Sequence, residues 1–153
     1  MEEKILEQLR INGFEYVGTK KDKKGATQYI LLRNDELCSD FFLVENLEDY
    51  KKIRIGEMYR IPYIFGMSSE ENGFRKMKIL DFKCTDCKNE GKGSILLSVM
   101  IEHCKENGIS EIWGELSSVD ELCSCNKARR NHIYEKFGFA NNGRTISLCL
   151  NNL

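Results

Sequence analysis

Short apolar segments separated by polar turns run through the first half of the chain, a pattern that is typical of β-strands. An amphipathic helix is predicted before them over residues 1–10, because Ile5, Leu6 and Leu9 fall on one helical face and Gly13 stops the pattern. A short helix is predicted over residues 47–52. The predicted strands are Phe14–Thr19, Thr27–Arg33, a segment from Phe41, Met58–Met67 and Phe74–Phe82, the last two forming a hairpin around the SSEENG turn.

The second half of the chain changes to helical periodicity. Residues 94–107 place Ile95, Leu96, Val99 and Met100 on one stripe, which predicts a helix with a buried face. A strand over 111–116, a helix over 122–137 and a closing strand over 144–150 follow. Antiparallel strands followed by a β–α–β–α–β run predict an α/β fold, a mixed sheet covered by helices.

Composition agrees with a single folded domain over residues 1–153. Hydrophobic residues make up 41% of the chain and charged residues 31%, which excludes an intrinsically disordered protein. A net charge of −1 gives no reason to expect a nucleic-acid partner. No apolar run approaches the roughly 20 residues of a membrane span, and the start MEEKILEQLR is unlike a signal peptide. We therefore expect a cytoplasmic protein with no membrane partner.

The most informative chemistry lies in the segment 76–108. It reads as a strand, a turn containing Gly91 and Gly93, and a helix. The first N–H groups of such a helix lack intrahelical partners and, with the helix dipole, favour an anion such as phosphate. The same junction also occurs without a ligand, because glycine makes tight turns. Leu96 leaves the dinucleotide fingerprint incomplete, and no glycine lies between Gly73 and Gly91 to begin a P-loop.

A second motif lies near the C-terminus, where residues 128–139, ARRNHIYEKFGF, read as the end of a helix with Gly138 as its stop signal. The turn K-N-E-G-K-G over 88–93 and the motif Y-E-K-F-G-F over 134–139 together resemble the GNAT N-acetyltransferase superfamily. That family carries a Gln/Arg-x-x-Gly-x-Gly/Ala turn and, later, a Tyr-Glu-Lys-x-Gly-Phe pattern. The resemblance covers the chain from Met77 onwards. The chain departs from the family pattern at two positions. Lys88 replaces the Gln or Arg of the turn, and Cys87 stands where many members have proline.

The resemblance implies a GNAT-like acyltransferase fold, a mostly antiparallel twisted sheet with helices on both faces, and acetyl-CoA as co-substrate. Residues 76–153 would form the acetyl-CoA-binding half, and residues 1–75 would shape the acceptor site. The pantetheine arm would run between two strands that splay apart in relatives, one ending near residue 85 and one over 111–116. The implied coenzyme-binding residues are Cys84, Thr85, Lys88, Asn89, Glu90, Gly91, Lys92, Gly93, Ser94, Asn126 and Tyr134.

Three residues are candidates for catalysis. In relatives the hydroxyl matching Tyr134 lies near the coenzyme sulfur and protonates the leaving thiolate. The alternative for Tyr134 is a helix tyrosine that packs its ring in the core. Asp81, within the largely apolar MKILDF, and Glu115 are candidates for the general base. Pairing of either carboxylate with lysine or arginine, and a water chain as the base, are the alternatives.

The chain has seven cysteines, an odd number that, without a signal peptide, argues against a disulfide framework. Zinc donors are available in Cys84, Cys87, Cys123 and Cys125, but C-x-C is poor spacing for zinc, and we expect no metal. We interpret the remaining cysteines as small core residues, namely Cys38, Cys104 and Cys149.

The predicted function is acetyl-CoA-dependent N-acetylation of a primary amine by direct attack in a ternary complex. Direct attack is preferred because no cysteine has a recognisable histidine partner. The acceptor is a small-molecule amine or a protein N-terminus or lysine, and dimers among relatives suggest a homodimer. The alternatives are a non-catalytic coenzyme A-binding sensor or interaction module on the same fold, and a zinc-stabilised interaction protein.

Overall fold

The strands that the structure describes form one eight-stranded sheet. The computed structural model describes residues 3–84, 91–116 and 124–150, with the backbone alone for 124–127. The strands are β1 Glu15–Lys21, β2 Thr27–Asn34, β3 Cys38–Val44, β4 Tyr63–Glu71, β5 Phe74–Lys83, β6 Glu111–Glu115, β7 Ala140–Asn141 and β8 Thr145–Cys149. Their order in the sheet is β1-β2-β3-β4-β5-β6-β8-β7. Every neighbouring pair is antiparallel except β5 and β6, which are parallel.

Helices cover both faces of this sheet, as predicted. They are α1 Glu3–Ile11, α2 Tyr50–Arg54, which follows a 3-10 turn at Leu47–Asp49, α3 Lys92–Glu106 and α4 Ser124–Lys136. On the face we call the front, Leu31 and Phe42 pack with α1 and α2. On the back face, Leu32 and Phe41 pack with α3 and α4. Because successive side chains of a strand point to opposite faces, two cores share the strands β2 and β3. These strands are therefore apolar at consecutive positions.

The β4–β5 hairpin turns on two residues, Asn72 and Gly73. Their φ angles are 53° and 82°, the positive values of a type I′ turn, which Asn-Gly favours. The six-residue turn predicted from SSEENG was therefore wrong. The predicted start of β4 at Met58 was also wrong, since the strand begins at Tyr63. Pro62 directly precedes it and has no N–H for a strand ladder.

Strands β5 and β6 part from each other inside the sheet. Their parallel pairing ends at Ile79 and Gly114, whereas β5 continues to Lys83. On its other side, β6 stays paired with β8 as far as Glu115. The two strands thus form a fork, which we define as the region beyond the Ile79–Gly114 pair.

A β-bulge lies at the same level as the fork. Phe65 pairs with Asp81, but the next residue, Gly66, pairs with Ile79. Leu80 is therefore the extra residue of β5, and a bulge of this kind bends its strand. The bend coincides with the point at which β5 leaves β6.

Of the two outermost strands, β1 is irregular and β7 is short. β1 changes register between Tyr16 and Gly18, which makes Val17 the extra residue of a bulge. The strand then ends in Lys20 and Lys21. At the opposite side of the sheet, β7 has two residues.

Candidate functional site

Helix α3 starts directly after a left-handed residue. Gly91 is its N-cap, with φ of 84° and no side chain to accept a hydrogen bond. The N–H of Ile95 donates to the carbonyl of Gly91 at 3.1 Å. The amides of Gly93 and Ser94 precede this bond, so they have no acceptor within the helix. This is the geometry in which a helix start binds an anion.

Gly93 is the point where three elements meet. A Cβ atom at this position would lie 3.1 Å from Cδ1 of Ile133 in α4. It would also lie 3.7 Å from Sγ of Cys84 and 3.7 Å from Cζ of Phe82, at the end of β5. The start of α3 therefore packs directly against α4 and against the β5 side of the fork.

Helix α4 ends in a Schellman motif built from the Y-E-K-F-G-F sequence. Gly138, with φ of 86°, supplies the left-handed residue. Its N–H donates to the carbonyl of Glu135 at 3.0 Å, and the N–H of Phe139 donates to that of Tyr134 at 3.0 Å. This is the bonding pattern of a glycine-terminated helix. The predicted stop at Gly138 is confirmed.

The ring of Tyr134 lies beside the fork. It packs edge-on against Phe82, with centroids 6.1 Å apart, and against Phe139 at 5.3 Å. Tyr134 is 7% exposed and belongs to the back core. Phe82 is part of β5 beyond its pairing with β6, so the contact fixes Tyr134 at the fork. The ring does pack in the core, while the role of the hydroxyl as an acid stays a prediction.

Two lysines distant in sequence approach the start of α3. Nζ of Lys136 lies 3.4 Å from Oγ of Ser94. In the β1–β2 turn, Cγ of Lys23 would lie 3.0 Å from a Cβ atom on Gly91. Sequence reasoning missed both lysines, because tertiary packing alone brings them to this helix start.

For the other predicted coenzyme-binding residues, the structure gives less information about their position relative to the start of α3. Nζ of Lys92 lies 3.7 Å from Oε1 of Glu45. Asn126 lies in the first turn of α4, and its side chain is not among those described. Outside the described residues lie Thr85, Lys88, Asn89 and Glu90.

The two candidate bases have different partners on the front face. The hydroxyl of Tyr63 donates to Oδ2 of Asp81 at 2.7 Å. Burial, with the hydrogen bond to Asp81, raises the pKa of Tyr63 to about 12, so this hydroxyl is protonated at neutral pH. Glu115 instead forms an ion pair with Lys78, whose Nζ lies 3.3 Å from Oε1. Pairing with a basic residue, expected as an alternative for both carboxylates, is thus found for Glu115.

The described residues were compared with the donor sets that hold metal ions in proteins. Within them, no group of three or more His, Cys, Asp or Glu side chains could hold a metal ion. Cys87, Cys123 and the side chain of Cys125 lie outside this part of the chain, so the zinc alternative stays a hypothesis.

The cysteines interpreted as core residues differ in burial. Cys104 is buried, as predicted, and Cys38 is half-buried. Cys149 is exposed, so its prediction was wrong. It alternates along β8 with Leu148, which occupies the back core, and so it faces the opposite side of the sheet.

No protein-family profile and no curated sequence matches this chain. None of the helices in the described ranges is long and apolar enough to cross a membrane.

Solved structures share the fold. A GNAT-family protein from Desulfovibrio desulfuricans matches with a TM-score of 0.52 and 14% identity, over 74% of this chain and 69% of that one. The ribosomal-protein-S18-alanine N-acetyltransferase of Escherichia coli matches with a TM-score of 0.51 and 15% identity, over 76% of this chain and 72% of that one.

A longer protein matches over nearly the whole chain. It is a cAMP-binding acyltransferase from Mycobacterium smegmatis, with a TM-score of 0.64 and 11% identity. The match covers 96% of this chain and 51% of that protein, so the chain spans about half the length of this neighbour. Together, these likenesses show that the chain has the GNAT acetyltransferase fold, which confirms the fold predicted from the two motifs.

Proposed function

We propose that this protein is an acyltransferase that moves the acetyl group of acetyl-CoA to a primary amine. A fold does not by itself define an activity, so the proposal rests on one observation about the site. The start of α3, the fork in the sheet and the ring of Tyr134 meet at one place. The helix start would hold a phosphate, the fork would admit a thioester, and the hydroxyl of Tyr134 would protonate a thiolate.

The helix start would hold the pyrophosphate of the donor. The amides of Gly93 and Ser94, together with the helix dipole, are suited to its negative charge. Lys136 adds positive charge at the same place, and the side chain of Lys23 lies against Gly91. The pantetheine arm would enter the fork, because β5 is no longer paired with β6 there.

The transfer would follow a direct route. The amine nitrogen attacks the thioester carbonyl carbon, the carbon–sulfur bond breaks, and the hydroxyl of Tyr134 gives its proton to the leaving sulfur. A backbone N–H near Cys84 would stabilise the oxyanion. The proton released by the amine would pass to a base, with Asp81, Glu115 and water as the candidates.

Neighbours of the same fold support an amine acceptor without selecting one. One is named for the alanine of a ribosomal protein, and another is a nourseothricin acetyltransferase. We therefore keep both small-molecule amines and protein amino groups as acceptor classes.

Thermal unfolding with acetyl-CoA tests the donor site, with ATP and NAD as controls. A ligand at about 100 times its dissociation constant stabilises by about 2.7 kcal/mol, which raises the midpoint of such a domain by several degrees. A shift with acetyl-CoA alone is the expected result, and no shift contradicts the proposal. Release of free thiol with a panel of amines then separates a transferase from a coenzyme A-binding sensor, which would bind but release none.

A further inference from the structure

Three side chains form a cluster on the front face, on β4 and β5 and at the level of the fork: Tyr63, Phe65 and Asp81. The rings of Tyr63 and Phe65 are stacked, with centroids 4.2 Å apart and 19° between their planes. Asp81 pairs with Phe65 across β4 and β5 and accepts the hydroxyl of Tyr63 at 2.7 Å. The cluster thus has an aromatic wall with a carboxylate held at its end.

The carboxylate of Asp81 is not paired with a cation in this cluster. Its donor, the Tyr63 hydroxyl, is neutral and orients Asp81 without cancelling the charge. Within the described residues Asp81 makes no ion pair, although Lys83 lies two residues further along the same face. Lys78, three residues before it, is already paired with Glu115. Asp81 is exposed and therefore accessible to a cation from solvent.

The position of the cluster relative to the fork indicates what approaches it. The parts proposed to hold the donor, namely the start of α3 and Tyr134, lie on the back face. Asp81 directly follows the bulge residue Leu80, where β5 has left β6. An acceptor that reaches the thioester from the opposite side would therefore pass the front-face cluster.

We propose that Asp81, held in place by Tyr63, binds the acceptor as its ammonium ion. The stacked rings of Tyr63 and Phe65 carry an apolar group next to that ammonium, through apolar contact and cation–π attraction. The acceptors are therefore cationic amines with an apolar or aromatic substituent. This inference rests on the proposed function. Tyr63 acts in it as a positioning residue, because it orients the carboxylate of Asp81.

Two probes of the same shape test the inference. Benzylammonium and its neutral counterpart, benzyl alcohol, are titrated calorimetrically into the full chain in the presence of CoA at pH 7.5. The wild type is expected to bind the ammonium about fivefold more tightly, the size of an exposed charge pair. Asp81→Asn should abolish this preference. Tyr63→Phe, which keeps the ring, should reduce it without changing the affinity for the alcohol.

The control variant is Glu71→Gln, which removes one negative charge at the far end of β4 and should keep the preference. Equal binding of the probes, binding of neither, or a preference that survives Asp81→Asn would overturn the inference. CoA affinity, measured in the same samples, separates the two proposals. Absence of CoA binding by the wild type refutes the proposed function. CoA binding without a preference for the ammonium refutes the acceptor site alone.

Discussion

Tyr134 contributes to the fold with its ring and its carbonyl. The ring packs between Phe82 and Phe139, and the carbonyl accepts the N–H that closes the end of α4. The hydroxyl can be removed while both contributions remain. Replacement by phenylalanine therefore removes the hydroxyl and keeps the ring packing and the bond at the helix end.

We expect Tyr134→Phe to lower turnover by about 10²–10⁴-fold, the usual contribution of a general acid. Acetyl-CoA affinity and the unfolding midpoint should change little, because the ring packing is kept. Steady-state kinetics and thermal unfolding measure the two effects. Tyr59→Phe is the matched control, since Tyr59 is 79% exposed. Normal turnover in Tyr134→Phe would remove the hydroxyl from the mechanism.

Ser39 and His103 form a hydrogen-bonded pair in which the bond runs in the opposite direction to that of a catalytic serine–histidine pair. Ser39 Oγ donates to Oδ1 of Asn34 at 2.9 Å, so it accepts from Nε2–H of His103 at 3.1 Å. The amide of Asn107 faces the other ring nitrogen at 3.4 Å. This tautomer, assigned from the hydrogen bonds, makes His103 a donor to Ser39. A histidine in this role does not activate a serine nucleophile.

The same histidine gives a prediction about pH. Burial lowers the pKa of His103 against the opposing effect of Glu106 and Glu15. Its pKa is thus lower in the folded than in the unfolded chain, so the unfolded chain binds the proton first as pH falls. The free energy of unfolding should therefore decrease below about pH 6.5 and be fully retained above it.

Urea unfolding at pH 7.5 and pH 5.5 measures this loss, and His103→Gln should lose less stability between the two pH values than the wild type. An equal loss in both proteins would assign the pH dependence to other groups.

At the scale of elements, the turn before α3 is constrained in backbone conformation. Gly91→Ala should reduce stability by about 1–2 kcal/mol, because alanine is strained at φ of 84° and would meet Cγ of Lys23. It should also weaken acetyl-CoA binding, since it displaces the amides that follow. Gly108→Ala is the control: φ there is 70°, and nothing lies within 4 Å of an added Cβ. A matching loss of acetyl-CoA affinity in both variants would argue against the turn as the donor site.

The elements that sequence predicted well are those with a strong local signal. The stripe of apolar residues in α3 and the glycines at Gly91 and Gly138 fixed where these helices start or stop. The Asn72–Gly73 turn was missed even though Asn-Gly is itself a local signal, because the longer polar run around it was taken as the turn. Strand β7, with two residues, is too short for any periodicity to show.

Only part of the candidate site was predicted, because some of its contacts depend on strand register and not on a local motif. Gly91, Gly93 and Tyr134 belong to local motifs that the sequence displays. The bond between Tyr63 and Asp81 depends instead on the register of β4 and β5, including a bulge at Leu80. No pattern within either strand specifies that register, so the partner of Asp81 could not be read from the sequence.

At the scale of the molecule, the two cores share strands and should unfold together. Leu31 and Leu32 are neighbours on β2, with 0% and 4% exposure, and they point into the front and back cores. We expect Leu31→Ala and Leu32→Ala each to cost about 2–5 kcal/mol. Both should shift one common transition, followed by circular dichroism and by the fluorescence of Trp113. Separate transitions in either variant would mean that the cores unfold independently.

The outer strands of the sheet bear on solubility. A second copy of a protein can add to an exposed edge strand by backbone hydrogen bonds, which begins edge-to-edge aggregation. β1 counters this with its bulge at Val17 and with Lys20 and Lys21, and β7 offers two residues of edge. The fork, by contrast, lies inside the sheet with strands on both sides. Among the described residues, the part of β5 that β6 leaves unpaired thus lies within the sheet, and not at an outer edge where a second copy could add a strand.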